Sequence, residues 1–121
     1  MARYVDGFVI PIAKKNLAAY RRMAALGGKI WKEHGALEYV ECVGEELTTE
    51  MVGAPFVKMC GLKRGETVVF SWICYRNKAH RNKVNAAVMR DPRMKPMMGG
   101  KKMPFDFKRM AMGGFKTIVE S

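Results

Sequence analysis

From Arg3 to Ile12 the chain alternates. Tyr4, Asp6, Phe8, Ile10 and Ile12 fall on one side of an extended backbone, Val5, Gly7, Val9 and Pro11 on the other, and β-branched residues crowd the second half. This predicts a first strand, with ladder pairing stopping at or before Pro11 on the side where its missing N–H would be needed. The period then changes. Leu17, Tyr20, Ala24, Gly27, Ile30 or Trp31, and His34 recur at helical spacing, while Lys14, Lys15, Arg21, Arg22, Lys29 and Lys32 fall mostly elsewhere on the wheel. A helix from about Lys14 to His34 follows. Gly35 is its expected left-handed C-terminal cap, and His34 stands where an imidazolium suits the helix dipole. Alternation returns from Leu37 to Val43, with Leu37, Tyr39, Glu41 and Val43 opposite Glu38, Val40 and Cys42, and predicts a second strand ending at Gly44.

Residues 45–66 show no sustained period and contain Gly53, Pro55, Gly61 and Gly65, so they read as a long irregular connection. Thr67 to Tyr75 is the most β-prone run, with Val68, Phe70, Trp72 and Cys74 on one face and Val69, Ser71, Ile73 and Tyr75 on the other. Both faces are apolar, which predicts a strand covered on both sides. Asn77 is a candidate N-cap for a second helix carrying His80, Val84, Ala87 and Val88, which should end near Asp91 because Pro92 restricts the residue before it. Pro104 opens a short helical turn, and Gly113 and Gly114 release a last strand from Phe115 to Glu120. The order β-α-β-β-α-β, with an irregular insertion before each of the last two strands, is the split βαβ pattern. The expected fold is therefore a single α+β ferredoxin-like domain over 1–121, a four-stranded antiparallel sheet with two helices on one face. The uncovered face predicts a homodimer whose sheets pack together, burying on the order of 1,200–2,000 Å² in total or more. The alternative is a monomer with its long loops folded across the sheet.

A chain of 121 residues with 49% hydrophobic content can build one core without metal or disulfide staples. No apolar run approaches the roughly 20 residues of a membrane helix, and the first strand lacks the shape of a signal peptide, so a cytoplasmic protein with no membrane partner is expected. Cys42, Cys60 and Cys74 include no CxxC pair and no Cys/His zinc spacing; they read as buried free thiols, with no metal and no cofactor implied. Charge is unevenly spread. Between Arg76 and Arg109 lie eleven of the 22 basic residues against only Asp91 and Asp106, and seven of the eleven methionines fall between Met89 and Met112. A stretch so basic and Met-rich, broken by Pro92, Pro96, Gly99, Gly100 and Pro104, reads as a binding surface or lid and is poorly suited to a core helix.

The segments Tyr4-Val-Asp-Gly-Phe-Val-Ile-Pro, His34-Gly-Ala-Leu-Glu-Tyr-Val-Glu-Cys, Thr67-Val-Val-Phe-Ser-Trp72 and Met103-Pro-Phe-Asp-Phe-Lys-Arg-Met, with Gly113-Gly-Phe, resemble the YbaA-like bacterial family of unknown function over nearly the whole chain. The resemblance implies a ferredoxin-like protomer in a dimeric α+β barrel, in agreement with the element order, and implies no substrate. Some relatives carry a signal-recognition-particle RNA label, which raises RNA as a partner. The wider superfamily includes haem-degrading monooxygenases, in which an Asn on the first strand, a Trp on the third and a His on the second helix surround the ligand. Asp6, Trp72 and His80 occupy comparable elements, with a carboxylate where that branch has an amide, so a haem-binding or monooxygenase-like enzyme is a third reading.

The leading constellation lies in the basic segment. Phe107 can anchor it beside Phe105 while Asp106, Lys108, Arg109 and Met110 present polar and adaptable groups to a small anionic or amphipathic ligand, Arg offering a planar fork for carboxylate or phosphate, so the leading reading is a small-molecule-binding protein or an enzyme of unassigned reaction. A plainer role is also open, in which Asp106 caps the turn or pairs with Arg109. Glu38 and Glu41 lie on opposite faces of the second strand and cannot form a paired acid–base unit from that strand alone. RNA ranks second to the small molecule: charge favours it, but the third strand lacks the glycines and basic residues of an RNA-stacking sheet.

Overall fold

The computed structural model describes residues 3–48, 53–98 and 103–121. Strand β1 (Tyr4–Ala13) runs through a 3-10 turn (Lys14–Asn16) into helix α1 (Leu17–Glu33). Strand β2 (Glu38–Val43), a short helix α2 (Phe56–Met59), strand β3 (Glu66–Tyr75) and helix α3 (Lys78–Arg90) follow. The chain closes with helix α4 (Met94–Met98), a 3-10 turn (Phe107–Arg109) and strand β4 (Ala111–Lys116). The sheet order is β2-β3-β1-β4, antiparallel throughout. This is the expected ferredoxin-like α+β fold.

Register assigns the faces. Tyr4, Asp6, Phe8 and Ile10 pair with Tyr75, Ile73, Ser71 and Val69, and Tyr39 and Glu41 pair with Ile73 and Ser71, so these residues share the helix-covered side. There Ile30, Ile73, Tyr75, Val84, Val88 and Met94 form one buried cluster, and Ile10, Ile12, Tyr20, Ala24 and Val69 a second; Phe8 packs against both. Tyr20, Ala24, Gly27 and Ile30, spaced three to four apart, are the buried stripe of α1. Val5, Val9, Phe70, Trp72 and Phe115 face the other way. On that side Pro11 and Val68 are buried, while Phe70 is 47% and Phe115 60% exposed. The β1 ladder with β4 ends at Val9, before Pro11, whereas that with β3 continues to Ala13. Gly35 takes φ +115° after α1, and the Asn77 side chain accepts the His80 N–H at the start of α3.

Four expectations need correction. The last strand is Ala111–Lys116 and contains Gly113 and Gly114, because these glycines make room within the sheet instead of ending a turn. A Cβ on Gly114 would collide with the Tyr4 phenol and the Arg81 guanidinium, and the Phe115 ring lies 3.3 Å from the Cβ position of Gly7. Ile118 and Val119, expected within the last strand, are exposed beyond it. Helix α2 interrupts the connection expected to be irregular. Met94 of the basic stretch is only 4% exposed and belongs to the core, so that stretch is not a lid throughout. Gly99, Gly100, Lys101 and Lys102 of the same stretch lie outside the described residues. The cysteines are free, but only Cys74 is buried; Cys42 is exposed and Cys60 half-buried. None of the described helices is long and apolar enough to cross a membrane.

Helix α4 forms despite Pro92 and Pro96 because Asp91 organises both ends of the break. Its backbone N–H closes α3 on Val88, its carbonyl accepts the Met94 N–H, and its carboxylate accepts the Arg93 N–H at 2.9 Å. Pro96 sits in the first turn, where a missing N–H is tolerated. The same carboxylate receives Arg93 Nε at 3.0 Å, Arg93 Nη2 at 2.8 Å and His34 Nε2 at 2.8 Å, and Arg93 Nη2 also reaches Glu33 at 2.7 Å. The ends of α1 and α3 are thereby tied to the start of α4. Bonds from Arg93, then His34, hold the Asp91 carboxyl well below the usual carboxylate range. A depressed folded pKa gives stability that is present above the unfolded value of about 4 and lost as pH falls through the folded value. Asp91→Asn should therefore lower the urea midpoint at neutral pH, and the gap to the parent chain should narrow on acidification. A gap that stays constant from neutral to strongly acidic pH would contradict this linkage.

Candidate functional site

A cavity of about 420 Å³ lies between the helices and the covered face of the sheet. Its floor is Asp6, Phe8 and Ile10 of β1, Ser71 and Ile73 of β3, and Tyr39 and Glu41 of β2. Tyr20, Met23 and Trp31 enter from α1, Asn85 and Met89 from α3, and Phe105, Phe107 and Met110 from the segment before β4. That segment is pinned beside α1: Asn16 Nδ2 donates to the Pro104 carbonyl at 3.1 Å, and Phe105 meets Tyr20 edge-on at 5.7 Å and Phe107 at 5.0 Å.

Two polar centres interrupt the apolar wall. At one, Glu41 accepts the Tyr20 hydroxyl on Oε1 at 2.7 Å and the Tyr39 hydroxyl on Oε2 at 2.8 Å. Burial first, then the neighbouring Glu41 carboxylate, pushes both phenols far above their ordinary range, so they remain hydrogen-bond donors. At the other, Asn85 Oδ1 accepts Trp31 Nε1 and the Tyr75 hydroxyl, each at 3.0 Å, and Asn85 Nδ2 reaches Asp6 Oδ2 at 3.4 Å. Arg81 Nε lies 3.2 Å from Asp6 Oδ1, within ion-pair distance though its N–H is not aligned on it. The Arg81 guanidinium also sits 4.8 Å over the Tyr4 ring. The hydroxyl of Ser71, a residue that lines the cavity, has no hydrogen-bond partner among the described residues.

The residues singled out in the basic segment divide. Phe107 and Met110 line the cavity. Asp106 and Lys108 are exposed, and the Asp106 carboxylate accepts the Lys108 N–H at 2.9 Å, capping the 3-10 turn. Arg109 does not join Asp106 at a ligand: its Nη1 and Nη2 hold Glu66 at 2.6 and 2.9 Å, with Nη2 also on the Gly61 carbonyl at 3.1 Å. Arg109, and next the Lys63 N–H, pull the Glu66 carboxyl down to about 2. The strand–helix trio is likewise divided. Asp6 and Trp72 both border the cavity, but register sends the Trp72 side chain to the open face, where its indole donates to Glu38 at 2.6 Å. His80 is buried outside the cavity lining, its Nδ1 accepting the Arg76 N–H and its ring edge-on to Tyr75 at 6.0 Å. Burial is the main force lowering its pKa. The three surround no common space.

Sequence reasoning passed over Tyr20, Tyr39, Glu41 and Asn85 as site residues. One signal was present: Glu41 interrupts an otherwise apolar side of its strand, shared with Tyr39 and Val43.

The chain matches the family described as "Protein of unknown function (DUF1428)" over residues 3–107. It belongs to that family. Within it, the chain is 43% identical to "Uncharacterized protein YbaA" of Escherichia coli (strain K12) over 118 residues, 98% of each chain, and equally to the protein of that name from Shigella flexneri. A crystal structure of a dimeric ferredoxin-like protein from an uncultured marine organism aligns over 100% of both chains with a TM-score of 0.56 at 11% identity. That likeness concerns the fold alone.

One local feature positions Tyr39. The glycine pair Gly27–Gly28 lets its ring lie against α1; a Cβ on Gly28 would stand 2.9 Å from Tyr39 Cδ1, and one on Gly27 3.1 Å from its hydroxyl. Helix propensity alone favours Ala over Gly by about 1 kcal/mol. Because the ring would have to move off Glu41, Gly28→Ala is expected to destabilise the protein despite that gain, read as a lower melting temperature. Stabilisation by the full propensity difference would show that Tyr39 is not held there.

Proposed function

We propose that this protein binds a small amphipathic molecule in the cavity between its helices and sheet, with Phe107 and Met110 of the basic Met-rich segment forming part of the wall. The observation that carries the reading is the convergence of Glu41, with its two phenol donors, and the free Ser71 hydroxyl on an otherwise aromatic and Met-lined space. Its volume of about 420 Å³ is in the range of small-molecule sites. Methionine walls suit ligands of varied shape, because an unbranched thioether repacks at low cost. Asp106, Lys108 and Arg109 act around this site as supports: Arg109 braces the segment against Glu66, and Asp106 caps the turn that presents Phe107.

The open face of the sheet has one occupant of matching chemistry, a second copy of the chain. Val5, Val9, Phe70, Trp72 and Phe115 make an apolar surface that a symmetric partner would cover with its own. The related fold described as dimeric supports this reading. RNA draws less support, because no Lys or Arg of the four strands falls on the face that carries these aromatic residues, which holds Glu38 and, already paired with Arg109, Glu66.

Two measurements test these assignments. Light scattering at micromolar concentration should give twice the 13.7 kDa chain mass, and Phe70→Asp should give a folded monomer; a parent chain that is monomeric would contradict the dimer. For the cavity, calorimetry with phenylpropanol should show saturable binding to the parent chain that is lost in Met112→Trp. Met112 is a 60% exposed residue at the rim, where an indole fills space without disturbing the core. Unchanged binding in that variant would place the ligand elsewhere.

A further inference from the structure

The charge of the cavity runs against that of the chain. The protein carries a formal +11, yet among the described residues the cavity lining holds the acids Asp6 and Glu41 and no Lys, Arg or His. Asp6 has its counter-charge in Arg81, 3.2 Å away. Glu41 has none among the described residues: its two oxygens accept neutral phenols, and no cation lies within ion-pair distance of it. Each of those oxygens has accepted one hydrogen bond and keeps a lone pair for another. The two phenol rings at the carboxylate are extended by others, Phe105 edge-on to Tyr20 at 5.7 Å and Trp31 tilted against Tyr39 at 6.1 Å, and aromatic faces attract cations.

We propose that the ligand is an organic cation, a protonated amine on an apolar body, with the ammonium at Glu41 and the body against Phe8, Phe105 and Met110. This rests on the cavity reading above and narrows it. An anionic ligand of the kind Arg109 could hold is disfavoured, since Arg109 is engaged by Glu66 and the cavity would set two carboxylates against the ligand. Arg21, Arg22, Lys29 and Lys32, which line the adjoining opening that Glu41 also borders, do not reverse this, because none of them pairs with Glu41 and exposed charges are screened within about 8 Å at physiological salt.

The test compares phenylpropylamine, phenylpropanol and phenylpropanoate, which share one body and differ in the terminal group, by calorimetry at neutral pH. The amine is expected to bind about tenfold or more tighter than the alcohol, and the carboxylate weakest. Glu41→Gln keeps the shape and removes the charge, and should abolish the preference for the amine over the alcohol. Tyr20→Phe removes one phenol donor and keeps the carboxylate, and should retain the amine preference, so the proposal remains testable should Glu41→Gln fail to fold. An alcohol that binds as tightly as the amine, or an amine preference that survives in Glu41→Gln, overturns the cation assignment and leaves the cavity reading standing. Absence of binding by all three overturns both.

Discussion

The strand register of β3 against its two neighbours is the constraint on which the rest depends. Ten residue pairs with β1 and six with β2 set it. Side chains alternate with a period of two, so a slip of one residue would exchange the faces entirely. Ser71 would then leave the side that carries Asp6 and Glu41, and Phe70 and Trp72 would enter it. With the observed register, three polar side chains from three strands meet beneath α1 and α3, while an aromatic surface is left on the open side.

Holding polar groups beneath the helices has a cost that the local chemistry offsets. A carboxylate withdrawn from water loses hydration, and hydrogen bonds to it restore part of that loss. Glu41 obtains two such bonds, from α1 and from its own strand, and the Gly27–Gly28 pair, unfavourable for the helix by about 1 kcal/mol per residue, lets the second donor approach. Asp6 is held differently, by an amide and a guanidinium from α3. The outcome is one compensated charge and one still able to take a cation. At the far end of α1, Asp91 fastens α4 by charge-assisted bonds, which lets a stretch rich in Pro and Lys deliver Met94 to the core.

Much of this fold was legible in the sequence, and the misreadings share a physical cause. Hydrophobic period located β1, α1, β2, β3 and α3, and the polar residue before α3 marked its N-cap, Asn77. Gly113 and Gly114 misled because a glycine pair signals a turn in one dimension; only in the folded sheet does the reason for them appear, in the aromatic rings of Tyr4 and Phe115 that need the space. Helix α4 was hidden by its prolines, whose effect depends on the cap that Asp91 supplies. Arg109 was assigned to Asp106, three residues away, although it pairs with Glu66, 43 residues away in the chain. Long-range choices of that kind, like the partners of Glu41, require the strand register, which no single strand contains. The separation of Trp72 from Asp6 has the same origin, because the face each takes is decided when β1 and β3 pair.

The central claim, that the space between helices and sheet is a ligand site, is tested most directly by proximity. Methionine methyl groups labelled with carbon-13 report on it, since Met23, Met89, Met110 and Met112 line the cavity while Met59 is exposed on α2 and Met94 is buried in the core. With phenylpropylamine bound, intermolecular NOEs should run from the ligand to the four cavity methyls and not to Met59 or Met94. Contacts confined to Met59, or binding with no contact to any of the four, would contradict the account.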